Sequence, residues 1–220
     1  MIIAIDGPAG AGKSTISKLV AKKIQFQYVD TGAMYRAITL HFLEKGVSPD
    51  QAAAEVANLN ASIKMNGQQI YFNGRDVSRQ IRSLEVNQAV SAYAAIPAIR
   101  FLLVELQREI GKDQDIVADG RDMGTYVFPE AELKIFLTAS VEVRAKRRFD
   151  EMRNKGESVE WADIVHNIRE RDRIDSEREM APLKKADDAI EVDTSDLTIQ
   201  QVVDRILDLI QSKKQAEAKL

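Results

Sequence analysis

Apolar residues are distributed along the chain with two periods. Ile2, Ile3 and Ile5 form a short β-branched run, whereas Ile16, Leu19, Val20 and Ile24 recur at the spacing of one helical face. The pattern predicts a strand near 2–6 and a helix near 13–25, followed by a strand near 27–30 and a helix near 32–45. Further apolar runs of strand length lie in "DIVADG" (Ile116, Val117), "LKIFLT" (Leu133, Ile135, Phe136, Leu137) and "AIEVDTS" (Ile190, Val192). Long helical stretches occupy the region near 84–111, and a last helix carries Ile199, Val202, Val203, Ile206, Leu209 and Ile210 on one face. Five buried strands separated by helices predict an α/β fold: a five-stranded parallel sheet flanked by helices on both faces.

One stretch breaks this alternation. "SIKMNGQQIYFNGRDVS" places Asn66-Gly67 and Asn73-Gly74 beside alternating or β-branched residues, a local hairpin signature. A small antiparallel β insert is expected at about 61–83, acting as a mobile flap beside a ligand cleft, with 1–60 and 84–220 forming the core of one domain. Pro97 suits the first turn of a new helix. The polar tail "SKKQAEAKL" is expected to fray.

Composition narrows the function. The 220 residues suffice for a sizeable core, and 45% apolar with 30% charged residues describe an ordinary globular chain. Without cysteine there is no disulfide framework or thiolate metal site, and His41 and His166 are too few for a zinc cluster. A cytoplasmic setting is expected: no apolar run reaches bilayer length, and the N-terminus reads as a core strand rather than a cleavable signal. A formal charge of −3 argues against DNA or RNA as partner. Positive charge is instead local, with eight arginines from Arg144 to Arg178.

The strongest motif is "GPAGAGKST", which fits G-x-x-x-x-G-K-[ST] as Gly7, Pro8, Ala9, Gly10, Ala11, Gly12, Lys13 and Ser14, with Thr15 following. It sits between a predicted strand and a predicted helix, where unpaired N–H groups and the positive end of the helix dipole favour a polyphosphate. Glycines let the backbone wrap the oxygens, Lys13 reaches the outer phosphates, and the Ser14 hydroxyl faces a magnesium ion.

A phosphate loop alone does not name a reaction. The nearest match to a guanine-reading N-K-x-D is "NKGE" (Asn154 to Glu157), which ends in Glu and follows no strand. Asp119 at the end of "VADGRD" is followed by Gly120 and Arg121 rather than by a glutamate that would polarise water, which suggests transfer to a bound acceptor. Arg36 in "DTGAMYR" and Arg121 in "DGRD" follow strand ends, the edge at which open parallel sheets collect ligands. In "RERDRIDSER", Arg171, Asp175 and Arg178 are spaced to share one helix face. Arginines converging from separate elements can clamp an anionic acceptor and the migrating phosphoryl group, whose transfer depends mostly on alignment and electrostatics. Arg144, Arg153 and Arg169 are read as surface ion pairs, Trp161 and Tyr35 as packing residues, and neither histidine is given a role.

Taken together, "IDGPAGAGKST", "DTGAMYR", "IVADGRDMGTYVFP", "KIFLTAS" and "RERDRIDSER" followed by "APL" resemble the bacterial-type cytidylate kinases over about residues 2–205. The resemblance implies a P-loop nucleoside monophosphate kinase fold with a short lid, placed at about 148–160. It also implies transfer of the γ-phosphoryl group of ATP to CMP or dCMP, giving CDP or dCDP and ADP in pyrimidine nucleotide metabolism. Separately, a monomer is expected.

Residue by residue, the resemblance suggests that Thr31, Arg36, Arg121 and Arg171 hold the acceptor phosphate, with Lys13, Arg121 and Arg171 as the catalytic charges. Ser91, Arg100 and Asp122 would read the cytosine, and Asp175 with Arg178 would meet the sugar. Asp119 would order magnesium through water beside Ser14. The chemistry of the base agrees: cytosine sets an amino donor next to a ring acceptor, so it calls for a carboxylate beside an arginine, and uracil would leave both unpaired. Gly156 suits the turn of a lid that excludes water. Whether Arg147 or Arg148 meets the nucleotide stays open. Kinases of UMP, dTMP or a non-nucleotide metabolite, and a slow ATP-hydrolysing regulatory module, are the competing readings.

Overall fold

The computed structural model describes residues 1–66, 69–154 and 156–218. Gly67 of the first Asn-Gly pair, Lys155 of the "NKGE" stretch and the last two residues of the polar tail lie outside them. In chain order the elements are β1 (Ile2–Asp6), α1 (Lys13–Ile24), β2 (Gln27–Asp30), α2 (Thr31–Glu44) and α3 (Pro49–Glu55). There follow β3 (Ile63–Asn66), β4 (Gln69–Phe72), β5 (Arg75–Asp76), α4 (Leu84–Ala94), α5 (Pro97–Gly111) and β6 (Ile116–Gly120). The last are β7 (Leu133–Thr138), α6 (Val141–Asn154), α7 (Trp161–Glu177), β8 (Ile190–Asp193) and α8 (Ile199–Glu217).

The main sheet has five parallel strands in the order β2-β6-β1-β7-β8, as the apolar runs predict. Alternation along each strand feeds opposite faces. Ile3 and Ile5 pack with Ile16 and Val20 of α1 and Val202 and Ile206 of α8, whereas Ala4, Val29 and Ala118 pack with Val104 of α5 and Met123. β1 is central, so the loop after it leaves from the middle of the sheet's carboxyl edge.

A second cluster unites α2, α4 and α5 through Ile38, Phe42, Val90 and Leu103, and it takes in Ile70, Phe72, Val77 and Ile81 of the insert. The insert is the expected small sheet, order β3-β4-β5 and antiparallel. It is docked on α2, where Arg75 forms a two-pronged pair with Glu44 at 2.8 and 2.9 Å. His41 is seated under it against Phe42 and Phe72. No described residue of β3–β5 lines the central cavity; Arg82, where the chain returns from the insert, does.

Three local features differ from the sequence expectation. α3 is an additional helix, whose signal was available: Ser48 and Gln51 form a capping box around Pro49 at the first turn. As Pro97 predicts, the stretch near 84–111 is two helices; what the sequence did not show is the bend of 98° between them. α8, started by a Thr198–Gln201 capping box, runs through the tail expected to fray as far as Glu217.

The exit from β1 admits no side chain. A Cβ on Gly7 (φ +148°) would stand 2.0 Å from the carbonyl oxygen of Leu137 in β7. Gly7→Ala is expected to lower unfolding free energy by about 2–3 kcal/mol, because the backbone must shift to relieve the overlap. Urea denaturation with an unchanged m-value checks this.

Candidate functional site

Acidic residues end three neighbouring strands: Asp30 on β2, Asp119 on β6 and Asp6 on β1. All three are buried, so each needs a partner. Asp6 accepts the backbone N–H groups of Met123 and Gly124, both at 2.8 Å. Those residues open a single π-turn, Met123–Val127, directly after Asp122. Burial still pushes the Asp6 carboxyl up to about 7 against those two bonds. Asp30 caps α2 by accepting from the Ala33 N–H at 2.8 Å and pairs with Arg36 at 3.1 Å. Asp119 accepts from Ser14 Oγ at 2.9 Å and Tyr28 Oη at 2.8 Å, while its carbonyl accepts from Thr31 Oγ1 at 2.7 Å.

Between β1 and α1 the loop turns through Gly10 and Gly12, both at positive φ (79° and 90°), and Gly12 is the N-cap of α1. Left-handed conformations at these points are what glycine tolerates. Lys13 is buried and donates from Nζ to the Pro8 carbonyl at 2.8 Å. Burial, with Arg121 nearby, holds its ammonium well below the usual lysine range. A cation in that state gains from an arriving anion.

Across the cleft the charges alternate. Asp122 is gripped by Arg100 Nη2 on one oxygen and by Arg178 Nη2 at 3.1 Å on the other. Arg178 also lies 3.9 Å from Asp175, and Asp175 accepts from Arg121 Nε at 2.7 Å. Burial raises the Asp122 carboxyl. Asp175, although burial acts upward on it too, is held below the usual carboxylate range by Arg121, Arg171 and Arg178. For Arg171, burial with Arg121 outweighs the upward pull of the Asp175 carboxylate and pushes the group down to about 10, and its Nε is buried without a hydrogen-bond partner. Arg36 Nε is likewise unbonded. Buried guanidinium nitrogens left without an acceptor beside a cavity are suited to an anion.

The cavity has a volume of about 1110 Å³ and joins both halves. Ala9 to Thr15, Thr31, Arg36, Ser91, Asp119, Arg121, Asp122, Arg171, Asp175 and Arg178 all line it. Gly7, Pro8 and Arg100 do not. Arg100 is fully buried behind Asp122, 5.4 Å from the Tyr35 ring, and also donates to the Ala94 carbonyl at 3.2 Å. Arg178 lies one residue past α7, as its C-cap, so it does not share the helix face expected for it, yet it still reaches the same carboxylates. Arg147 donates to Thr194 Oγ1 and O at 3.1 and 2.6 Å and lies beside Gly12, while Arg148 pairs with Glu151 at 3.0 Å; both line the cavity.

Arg144 departs from the expected surface pair. It is 4% exposed and bonds the carbonyls of Ala139 and Ala9, each at 3.0 Å, together with Asp172 at 2.7 Å. Helical spacing gives the face of a helix but not what covers it, so this was not legible. Asp30, Tyr28 and Arg82 were also missed. For Asp30 a signal existed: "IAID", "YVD" and "IVAD" all end apolar runs in aspartate.

No cluster of three or more His, Cys, Asp or Glu fit for a metal exists among the described residues. Ser14 and Asp119 fit a magnesium ion that takes its remaining ligands from phosphates and water: both present oxygen, and burial with Asp30 raises the Asp119 carboxyl to about 6, a cost that a cation removes.

Comparison with known proteins follows the same lines. Residues 3–212 match the model of the family described as cytidylate kinase. The cytidylate kinase of Fusobacterium nucleatum is 48% identical over 97% of this chain and 99% of that one. That of Bacillus pumilus is 51% identical over 94% of each. A shikimate kinase from Bacteroides thetaiotaomicron (TM-score 0.52, 14% identity, 96% of this chain and 98% of that one) and a gluconokinase from Sinorhizobium meliloti (0.52, 11%, 99% and 95%) share the fold.

Removing one partner of the buried clamp tests its electrostatics. Arg100→Met should cost about 3 kcal/mol by leaving Asp122 short of a counter-charge. Because the folded state already holds the Asp122 proton more tightly than the unfolded chain does, the deficit should shrink as pH falls from about 8 to about 5. Thermal unfolding across that range reads the sign.

Proposed function

We propose that this chain, which belongs to the cytidylate kinase family, transfers the γ-phosphoryl group of ATP to CMP or dCMP, giving CDP or dCDP and ADP for pyrimidine nucleotide metabolism. The observation that carries the reading is the Asp122 carboxylate, gripped by Arg100 and Arg178 and facing the same cavity as the glycine loop. A carboxylate accepts from the cytosine amino group, and a neighbouring guanidinium or the Ser91 hydroxyl donates to the ring nitrogen. Uracil reverses that pattern and would leave buried groups unpaired.

The backbone from Ala9 to Thr15 cradles the donor phosphates, with Gly7 and Pro8 shaping the turn behind it. Lys13 exchanges the Pro8 carbonyl for a phosphate oxygen, a move favoured by its suppressed charge. Arg36, Arg121 and Arg171, with Thr31, hold the acceptor phosphate, and the unbonded Nε atoms of Arg36 and Arg171 support that assignment. Asp175 and Arg178 meet the sugar. Arg121 and Arg171 are also placed to share the charge of the group in flight, which spreads over its equatorial oxygens and needs alignment more than a general base. Magnesium beside Ser14 and Asp119 would neutralise phosphate charge. Leu197, Ile199 and Val202 give the cavity apolar lining suited to the adenine ring. The segment at about 148–160, which leads from α6 into α7 with Gly156 in its turn, serves as the short lid, and the segment at about 61–83 as an acceptor-side insert. Every group named comes from one chain, so a monomer suffices, and the setting is cytoplasmic.

A coupled assay for ADP release tests the reading with CMP, dCMP, UMP, dTMP and no acceptor. ADP release without CMP, or equal turnover of UMP and CMP, contradicts it. Lys13→Ala should lower kcat by about 100-fold or more. Asp122→Asn keeps the size of the side chain while offering an amino donor, so the preference for CMP over UMP should fall by about 100-fold. Steady-state kcat/KM for both acceptors measures that.

A further inference from the structure

The arginine whose burial the sequence did not betray joins two parts of the site at once. The Arg144 guanidinium donates to the Ala9 carbonyl at 3.0 Å from the same nitrogen that meets Asp172 at 2.7 Å, while its Nε bonds Ala139 at 3.0 Å. Ala9 belongs to the phosphate cradle, and no peptide bond of the described chain is cis. In a trans peptide the N–H points opposite to the C=O. A carbonyl of Ala9 fixed toward Arg144 therefore turns the Gly10 N–H away from it. The contact is close: a Cβ on Gly10 would lie 3.1 Å from Arg144 Cβ. On the other side, Asp172 follows Arg171 in α7 and precedes Asp175 by less than one turn.

We propose that Arg144 is a positioning residue for phosphoryl transfer: it locks the Ala9–Gly10 peptide with its N–H turned into the polyphosphate cradle and, through Asp172, sets where α7 holds Arg171 and Asp175 relative to that cradle. The proposal rests on the assignment of Arg171 and Asp175 to the acceptor. Arg144 does not itself line the cavity. Its guanidinium fork makes two directed hydrogen bonds, from Nε and Nη1, and an ion pair with Asp172 at once, a geometry that a lysine ammonium on a flexible stem does not reproduce. Freed from it, the peptide can rotate its carbonyl toward the phosphates, and α7 can drift by an ångström or so from the line of transfer.

The test uses full-length Arg144→Lys, Asp172→Asn and the double variant, with kcat and KM for ATP and CMP, melting temperature, and calorimetric titration of CMP alone. Arg144→Lys should lower kcat about 100-fold and weaken ATP, while CMP binding without ATP stays within about threefold. Asp172→Asn, which spares the Ala9 bond, should lower kcat about tenfold with ATP affinity retained. The double variant should fall no further than Arg144→Lys, because the two act as one unit. A lowered melting temperature with kcat per folded molecule within about twofold of wild type would overturn the proposal, as would additive losses. If Arg144→Lys does not fold, Asp172→Asn decides: unchanged kcat overturns it. A wild-type enzyme without CMP-dependent ADP release would instead sink the acceptor assignment, so the two failures are distinguishable.

Discussion

Buried charge must be compensated, and the carboxyl edge of this sheet is organised around that requirement. Arg100, Asp122, Arg178, Asp175 and Arg121 form an alternating chain in which each carboxylate is shared by two guanidinium groups. None of these five side chains is more than 20% exposed, so solvent screens them little. The chain crosses from α5, through the turn after β6, to the end of α7. An ionic network of this kind is a poor source of net stability compared with apolar packing. What it supplies is definition: one arrangement satisfies all members, and any shift of a backbone segment breaks several bonds together.

The same constraint explains what could be read from the sequence. Apolar periodicity determines which face of each strand and helix is buried, so the sheet, its helices and the β insert were accessible, with α3 overlooked despite its capping box. The glycine loop was accessible because its spacing has one main physical use. Arg121 was accessible because it directly follows a strand end, and Arg36 because it lies in the second turn of the helix that follows one. Arg144 was not, because it differs from Arg148 one turn later only in what tertiary structure places over it: Arg144 is covered by Ala9 and Asp172, whereas Arg148 is partly open and paired within its own helix. Arg100 was assigned to the base, yet it lies one layer behind, and Asp122 alone of the pair reaches the cavity.

The α6–α7 hairpin has a different kind of integrity. Ala145, Met152, Ile164 and Ile168 form a cluster of their own, with Phe149 and Val165 at its margin, separate from the sheet's two faces. Its turn is closed by Gly156 at φ +77°, with the Gly156 N–H bonded to the Arg153 carbonyl and the Glu157 N–H to that of Met152. These are the paired bonds that end a helix in a left-handed residue. A unit held by its own core can change orientation without unpacking. Its connections to the phosphate loop and to β8 are polar and directional, from Arg144 to Ala9 and from Arg147 to Thr194. Polar bonds of defined geometry can be exchanged one for another at modest net cost, whereas loss of core contact cannot.

Compensation in this network is deliberately incomplete on one side. Asp122 and Asp175 have cations on both flanks, but Arg171 and Arg36 retain buried nitrogens without acceptors, and Lys13 is satisfied only by a neutral carbonyl. Had evolution paired Arg171 with another carboxylate, the free enzyme would be more comfortable and an incoming phosphate would first have to displace that partner. Leaving the cations short of negative charge makes the ligand the missing member of the network. The unbonded nitrogens of Arg36 and Arg171 and the buried ammonium of Lys13 all line the one cavity, so each nitrogen left without an acceptor borders the space that a ligand's phosphates would enter.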